Sequence, residues 1–354
     1  MSKFLSEDFK VLKPYTPGEQ PQTVRKLIKL NTNENPYPPS PKVAEAITAE
    51  EVSKLMLYPD PEAAPLVESI AEHYGLLKDQ VMVGNGSDEI LGFSFLAFQN
   101  RERKVFFPDI SYGFYPVYEK VFRASGIHVP LDENLRIRPE DYANLGGTIV
   151  IANPNAPTGM ALTLDEIEQI LRSNRDNLVI IDEAYVDFGT ESAVKLIDRY
   201  DNLLVVQTFS KSRSLAGSRL GFAMADSEII KDLNTIKYSF NPYNLNRLSI
   251  LAAAASMKDT EYFEETRKKI MATREYTAAE LKKLGFSMFP SKTNFIFVRH
   301  DKLSGEEYFA GLRENDILVR HFDRPEIEDY VRITIGTDEQ MKTLIEVTKK
   351  LLEG

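Results

Sequence analysis

The sequence predicts an α/β protein: a large domain with a mostly parallel seven-stranded sheet covered by helices, plus a smaller α+β domain. Three observations lead there. Short apolar runs such as Thr148-Ile149-Val150-Ile151 and Leu203-Leu204-Val205-Val206 are bounded by turn residues, the pattern of strands buried on both faces. Amphipathic stretches separate these runs, as crossover helices do in parallel sheets. From about residue 244 the pattern changes to helices with short strands between them.

Residues 1 to about 40 are rich in Pro, Asn and Tyr and exclude a long helix or a central strand. They read as an extended arm, anchored at least at Leu27-Ile28-Lys29-Leu30. Ser40 caps a helix expected to reach about residue 55, with Pro41 in its first turn. Tyr58-Pro59-Asp60-Pro61 is a turn, and 65–74 a second helix. Strands follow at 81–83, 105–107, 127–129, 148–151, 178–181, 203–206 and 221–224. Helices are expected after Gly84-Asn85-Gly86-Ser87-Asp88-Glu89 to residue 98, at 112–123 and at 163–172. The last part reads as helices 245–257, 260–284, 304–314 and 338–351, with strands 286–289, 294–299, 317–320 and 330–335. The expected division is an arm and first helix (1–57) packing with the small domain, a large domain (58–245) and a small C-terminal domain (246–354).

The chain has 354 residues, 43% hydrophobic and 27% charged, as a packed soluble globule requires. With 43 Lys+Arg against 53 Asp+Glu its net charge is −10, which argues against a nucleic-acid partner. No cysteine is present, so disulfides, thiolate metal sites and cysteine nucleophiles are excluded. The four histidines are scattered without metal-ligand spacing, and no metal is expected. No apolar run has membrane-spanning length and the start lacks a signal-peptide core, so a cytoplasmic enzyme without a membrane partner is expected.

Ligands of open α/β sheets bind at the carboxyl ends of the strands. The strand at 203–206 runs into Thr208-Phe209-Ser210-Lys211, with Arg219 eight residues beyond Lys211. A partly desolvated lysine amine there favours its neutral form and can attack a carbonyl. Ser210, Thr208 and Arg219 offer donors to a phosphate. Gly84-Asn85-Gly86-Ser87 turns into a helix whose free N–H groups suit an anion. The strand at 178–181 ends in Asp182-Glu183-Ala184-Tyr185, where a carboxylate on an apolar strand is costly unless paired. A protonated pyridine nitrogen is such a partner. Lysine for an aldehyde, an acid for a pyridine and donors for a phosphate together meet the needs of pyridoxal 5'-phosphate.

This constellation resembles the fold type I pyridoxal-phosphate-dependent aminotransferases, most closely the histidinol-phosphate aminotransferase family, over nearly the whole chain. The resemblance runs through Leu30-Asn31-Thr32-Asn33-Glu34-Asn35-Pro36, Tyr58-Pro59-Asp60, the Gly84–Glu89 turn, Asn153-Pro154-Asn155-Ala156-Pro157-Thr158-Gly159, Asp182 to Tyr185, Ser210-Lys211 with Arg219, and Val331-Arg332-Ile333-Thr334-Ile335. It implies that Lys211 is the Schiff-base lysine and proton shuttle, and that Asp182 keeps the pyridine nitrogen protonated. It makes Tyr185 and Asn155 contacts of the ring oxygen O3', and Tyr112 the residue stacked on the ring. Gly86, Ser87, Asp88, Thr208, Ser210 and Arg219 would hold the phosphate, joined by Tyr58 from a partner subunit in a homodimer with shared sites. Arg332, Arg320, Tyr15 and Asn33 would bind substrate. The family has asparagine immediately before Pro157-Thr158-Gly159, where this chain has Ala156; either Asn155 takes over the contact to O3' or the contact is lost.

The implied activity is amino transfer between L-histidinol phosphate and 2-oxoglutarate, giving 3-(imidazol-4-yl)-2-oxopropyl phosphate and L-glutamate, in histidine biosynthesis. Its partners are thus a phosphorylated amino alcohol and the glutamate/2-oxoglutarate pair. The rivals are an aromatic amino acid aminotransferase, a decarboxylase of threonine-phosphate type on the same scaffold, and a non-catalytic pyridoxal-phosphate module.

Overall fold

The computed structural model describes residues 2–6, 9, 10, 12, 15, 18–20, 27–99 and 102–353; Lys13, Pro14, Thr16 and Pro17 of the expected arm lie outside them. The arm contributes β1 (Ile28–Lys29). The large sheet follows with β2 (Val81–Gly84), β3 (Lys104–Pro108), β4 (Ser125–Val129), β5 (Gly147–Ala152), β6 (Val179–Asp182), β7 (Leu203–Thr208) and β8 (Gly221–Ala225). Its order is β2-β8-β7-β6-β5-β3-β4. Only β8 runs against its neighbours, so the sheet is mostly parallel.

Strict alternation along the strands explains why these runs must be buried on both sides. Ile149, Ile151, Val179, Ile181, Leu203 and Val205 belong to the core of one face. Val150, Ala152, Ile180, Leu204 and Val206 belong to the core of the other. Each such side chain gains about 1.5–3 kcal/mol on leaving water, so a charge at any of these positions would break the layer.

The C-terminal part builds a second sheet from β9 (Ser287–Met288), β10 (Phe295–Arg299), β12 (Arg320–His321) and β13 (Val331–Thr334), ordered β12-β13-β10-β9 and antiparallel. The remaining strand, β11 (Ile317–Leu318), pairs in parallel with β1 of the arm. Leu30 is buried in the same core as Ile296, Val298, Val331 and Ile333. The apolar run in the arm is therefore an anchor, as its composition predicts.

Several expected elements differ in extent. The helix after Ser40 stops at Ala46, and a second, Ala49–Ser53, starts behind its own cap Thr48. The helix expected from residue 112 begins at Tyr115, next to Pro116 in its first turn. The strand expected at 317–320 is split into β11 and β12, which join different sheets. A helix absent from the sequence reading, Ser227–Phe240, is capped by Asp226. Its mixed composition gives a weaker periodicity than Leu164–Ser173, which has a Thr163/Glu166 capping box. Helices Pro41–Ala46 and Ala64–Tyr74 both pack against Arg247–Lys258.

Candidate active site

The register of the large sheet brings the predicted groups to one edge. Ala152 lies beside Asp182, Asp182 beside Val206, and Thr208 and Gly84 both beside Gly221. A cavity of about 360 Å³ opens there. Lys211, Asp182, Tyr185 and Tyr112 line it, as do Ser87, Asp88, Thr208, Ser210 and Arg219.

Asp182 is 4% exposed. Its Oδ2 accepts a hydrogen bond from the Tyr115 hydroxyl at 2.8 Å, and its Oδ1 one from the Ala184 N–H at 3.3 Å. Burial pushes its pKa up to about 6; the Tyr115 hydrogen bond pulls it down, while the charge of Asp88 adds to the rise. The lysine opposite, Lys211, donates from Nζ to the Thr32 carbonyl at 3.3 Å and stands 5.8 Å from the centre of the Tyr185 ring. Its loop is tied to the arm, because Asn35 Nδ2 donates to the carbonyls of Lys211 (3.0 Å) and Ser212 (3.1 Å).

At the other end of the cavity, helix Ser87–Phe98 begins behind Gly86 with no side-chain cap, which leaves its first N–H groups for an anion. Gly86 has φ +83°, and a Cβ there would lie 2.6 Å from Arg219 Nη2. A Cβ on Gly221 would lie 2.4 Å from the Ser87 nitrogen. Only glycines let the helix end, the strand and Arg219 crowd together. Gly86 is thus not part of the lining but shapes it. Arg219 Nη1 reaches Ser210 Oγ at 3.4 Å, and Nη2 reaches Asp88 Oδ2 at 3.4 Å. The Tyr112 hydroxyl donates to the other oxygen of Asp88 at 2.7 Å.

Other predicted residues lie elsewhere. After β5 the chain alternates: Ala152, Pro154 and Ala156 line the cavity, and Asn155 does not. The Asn155 amide donates to the Ile110 carbonyl at 3.0 Å and accepts from the Ser111 hydroxyl at 2.7 Å. Asn155 therefore does not replace the missing asparagine; the methyl of Ala156 occupies that place. The arm alternates too. Thr32 and Glu34 line the cavity, whereas Asn33 is buried behind it with Nδ2 donating to the Tyr185 hydroxyl at 2.8 Å.

Arg320 and Arg332 are paired across β12 and β13 and lie outside the lining. Arg332 Nη2 donates to the Asn31 carbonyl at 3.1 Å, one residue from Thr32, while its Nε is buried without a partner. Burial, together with the charge of Arg320, pushes the pKa of Arg332 down. Among the described residues neither arginine has a carboxylate within 4.0 Å, which leaves two adjacent cations for an anion. Tyr15 packs on Phe114, ring centres 5.1 Å apart, next to the Tyr112 loop and outside the lining. Tyr58 is 79% exposed, stacks on Tyr243 and is outside the lining of its own chain's cavity.

Sequence reasoning passed over Gln20, Thr32 and Glu34 in the lining and Tyr115 behind Asp182. The two-residue period of extended chain would have separated Thr32 and Glu34 from their asparagine neighbours.

The donor set fits pyridoxal 5'-phosphate. A buried carboxylate with no cation within 4.0 Å among the described residues suits the pyridine nitrogen. The uncapped helix end with Arg219 suits the phosphate, and Lys211 the aldehyde. Residues 25–347 match the family described as Aminotransferase class I and II. The chain belongs to that family. Class I and II aminotransferases depend on pyridoxal phosphate, and the cavity has the groups to hold it. The histidinol-phosphate aminotransferase of Brachyspira hyodysenteriae is 51% identical over 355 residues, covering 100% of both chains. The crystal structure of the histidinol-phosphate aminotransferase from Clostridium acetobutylicum matches with a TM-score of 0.84 at 28% identity, over 92% of this chain and 99% of that one. The enzyme of the same name from Sinorhizobium meliloti, in complex with pyridoxal-5'-phosphate, has the same fold, with a TM-score of 0.89 at 22% identity over 100% of this chain and 98% of that one.

Proposed function

We propose that this aminotransferase interconverts L-histidinol phosphate plus 2-oxoglutarate and 3-(imidazol-4-yl)-2-oxopropyl phosphate plus L-glutamate, in histidine biosynthesis. The observation that carries the reading is Lys211 and Asp182 on one cavity whose far end is an uncapped helix N-terminus with Arg219. The substrate follows the full-length relatives, and the Arg320/Arg332 pair supplies charge for its phosphate.

The bound cofactor supplies an electron sink for negative charge at the substrate Cα. Asp182 holds the proton on the pyridine nitrogen and gains in return the cation that its desolvated carboxylate lacks. Lys211 would hold the cofactor through its aldehyde and, with its amine free, serve as the base that moves the proton at the substrate Cα. Ser87, Ser210, Thr208 and Arg219 hold the phosphate end through charge-assisted hydrogen bonds. Tyr112, whose hydroxyl donates to Asp88, would stack on the ring. Arg332 and Arg320 bind the substrate anion and so set the orientation of Cα above Lys211. The arm carries Thr32 and Glu34 to the cavity wall.

We propose further that the active form is a cytoplasmic homodimer with shared sites. Met56 (86% exposed), Tyr58 (79%) and Phe240 (73%) are large apolar side chains left in water, and Tyr58 stacks on the half-exposed Tyr243; a partner subunit would cover such groups. The division into 1–57, 58–245 and 246–354 belongs to the same proposal, with helix Arg247–Lys258 as the joint between the units.

The test is a steady-state assay of purified protein loaded with pyridoxal phosphate, following glutamate made from 2-oxoglutarate and L-histidinol phosphate. Turnover dependent on both compounds supports the proposal. Faster turnover of phenylalanine or tyrosine moves it to the aromatic class, and carbon dioxide from threonine phosphate moves it to the decarboxylases.

A further inference from the structure

Thr334 and Asn33 form a closed pair behind the cavity. Thr334 Oγ1 accepts from the Asn33 backbone N–H at 3.0 Å and donates to Asn33 Oδ1 at 3.1 Å. Both residues are buried, at 2% and 1% exposure. Turning the amide over would set two donors against Thr334 Oγ1 and leave the hydroxyl proton without an acceptor, which is costly out of water. The amide is therefore locked with Nδ2 toward Tyr185, whose hydroxyl oxygen it meets at 2.8 Å. An oxygen that accepts from Asn33 cannot point its own proton there. Asn33 sits at φ +56°, a conformation that asparagine tolerates and most residues do not.

The turn after β5 brings no side-chain amide to the cavity lining. Ala156 lines it with a methyl, the Asn155 amide is committed to Ile110 and Ser111, and the Tyr112 hydroxyl is committed to Asp88. We propose that Asn33, locked by Thr334, is a positioning residue that turns the Tyr185 hydroxyl proton into the cavity, so that Tyr185 acts as fixed donor to the phenolic oxygen of bound pyridoxal phosphate. This rests on the cofactor assignment and adds what Asn33 and Thr334 are for. With alanine at position 156, the orientation of the Tyr185 phenol proton decides whether this contact is made.

The test compares wild type with Asn33→Asp, Asn33→Gly, Thr334→Val, Tyr185→Phe and the Asn33→Asp/Tyr185→Phe double variant. It reads cofactor affinity by equilibrium dialysis and the pH at which the visible band of the bound cofactor titrates. A donor at the phenolic oxygen favours the deprotonated form, which carries more negative charge there, so its loss moves the midpoint to higher pH. Aspartate accepts from Tyr185 and turns the proton away. Asn33→Asp should therefore match Tyr185→Phe, with the midpoint up by about one pH unit and affinity down roughly tenfold. Asn33→Gly suits the backbone and leaves the hydroxyl free to rotate; it and Thr334→Val should fall between these and wild type. The double variant should titrate with Tyr185→Phe alone. An Asn33→Asp midpoint at the wild-type value, or an Asn33→Asp shift that persists in full without the Tyr185 hydroxyl, overturns the proposal while the cofactor assignment stands. Wild-type protein that binds no pyridoxal phosphate overturns both.

Discussion

The Tyr115 hydroxyl donates to Asp182 Oδ2 at 2.8 Å, and this neutral donor stands where a buried carboxylate would ordinarily have a cation. Burial outweighs this hydrogen bond, which by itself lowers the pKa of Asp182: pushed up to about 6 from the ordinary 3.8, the carboxyl ionises at the expense of folding in the cofactor-free chain. The stability present below about pH 4 is lost as pH rises through 6, and the displacement corresponds to about 3 kcal/mol. Asp182→Asn without cofactor should therefore melt several degrees above wild type at pH 8 and with it at pH 4, by calorimetry. The same variant with cofactor should lose at least about a hundredfold in turnover, because the ring nitrogen loses its partner. A wild type that melts above the variant at pH 8 would contradict this account of Asp182.

Among the described residues Lys211 Nζ makes one hydrogen bond, to the Thr32 carbonyl, and has no carboxylate within 4.0 Å. Borohydride treatment of the loaded protein should fix one cofactor per chain, and peptide mapping should find it on Lys211. Lys211→Ala should retain none and lose activity by about four orders of magnitude or more. A reduced adduct on another lysine would reassign the nucleophile.

Arg219 leans on Asp88 at 3.4 Å and on Ser210 at 3.4 Å, contacts loose enough to exchange for a phosphate. Arg219→Ala should weaken cofactor binding roughly 10- to 100-fold, the worth of a charge-assisted hydrogen bond or two. Spectral titration of the cofactor-free protein measures this. Unchanged affinity would remove Arg219 from the phosphate site.

Arg320 and Arg332 are paired across their strands, with no carboxylate within 4.0 Å of either among the described residues. Replacing either by glutamine should raise KM for L-histidinol phosphate roughly tenfold or more with little change in cofactor affinity. A change confined to kcat would show that the pair does not bind the substrate anion.

Tyr58 is exposed and does not line the cavity of its own chain, so the proposed role of Tyr58 is one it would play in a partner subunit. Tyr58→Ala and Lys211→Ala chains, each impaired alone, should regain activity when refolded together, because one site of each hybrid then has both residues. No recovery would return Tyr58 to its own chain or to no role.

The large sheet was legible because continuous apolar runs admit few other structures, and Lys211, Asp182 and Arg219 followed as polar residues just beyond those runs. What escaped was mostly orientation. Asn155 and Asn33 sit in the right loops but face the wrong way, since in extended chain a neighbour by one residue belongs to the opposite side. Tyr115 escaped because its partner is distant in sequence. The helix Ser227–Phe240 escaped because many polar and aromatic residues blur its periodicity.

The most direct measurement is rapid mixing of the yellow loaded enzyme with L-histidinol phosphate, phenylalanine, tyrosine and threonine phosphate in turn. L-Histidinol phosphate should bleach the visible band fastest, and 2-oxoglutarate should restore it. A band that L-histidinol phosphate leaves untouched, while another of the four compounds bleaches it, would contradict the proposed activity.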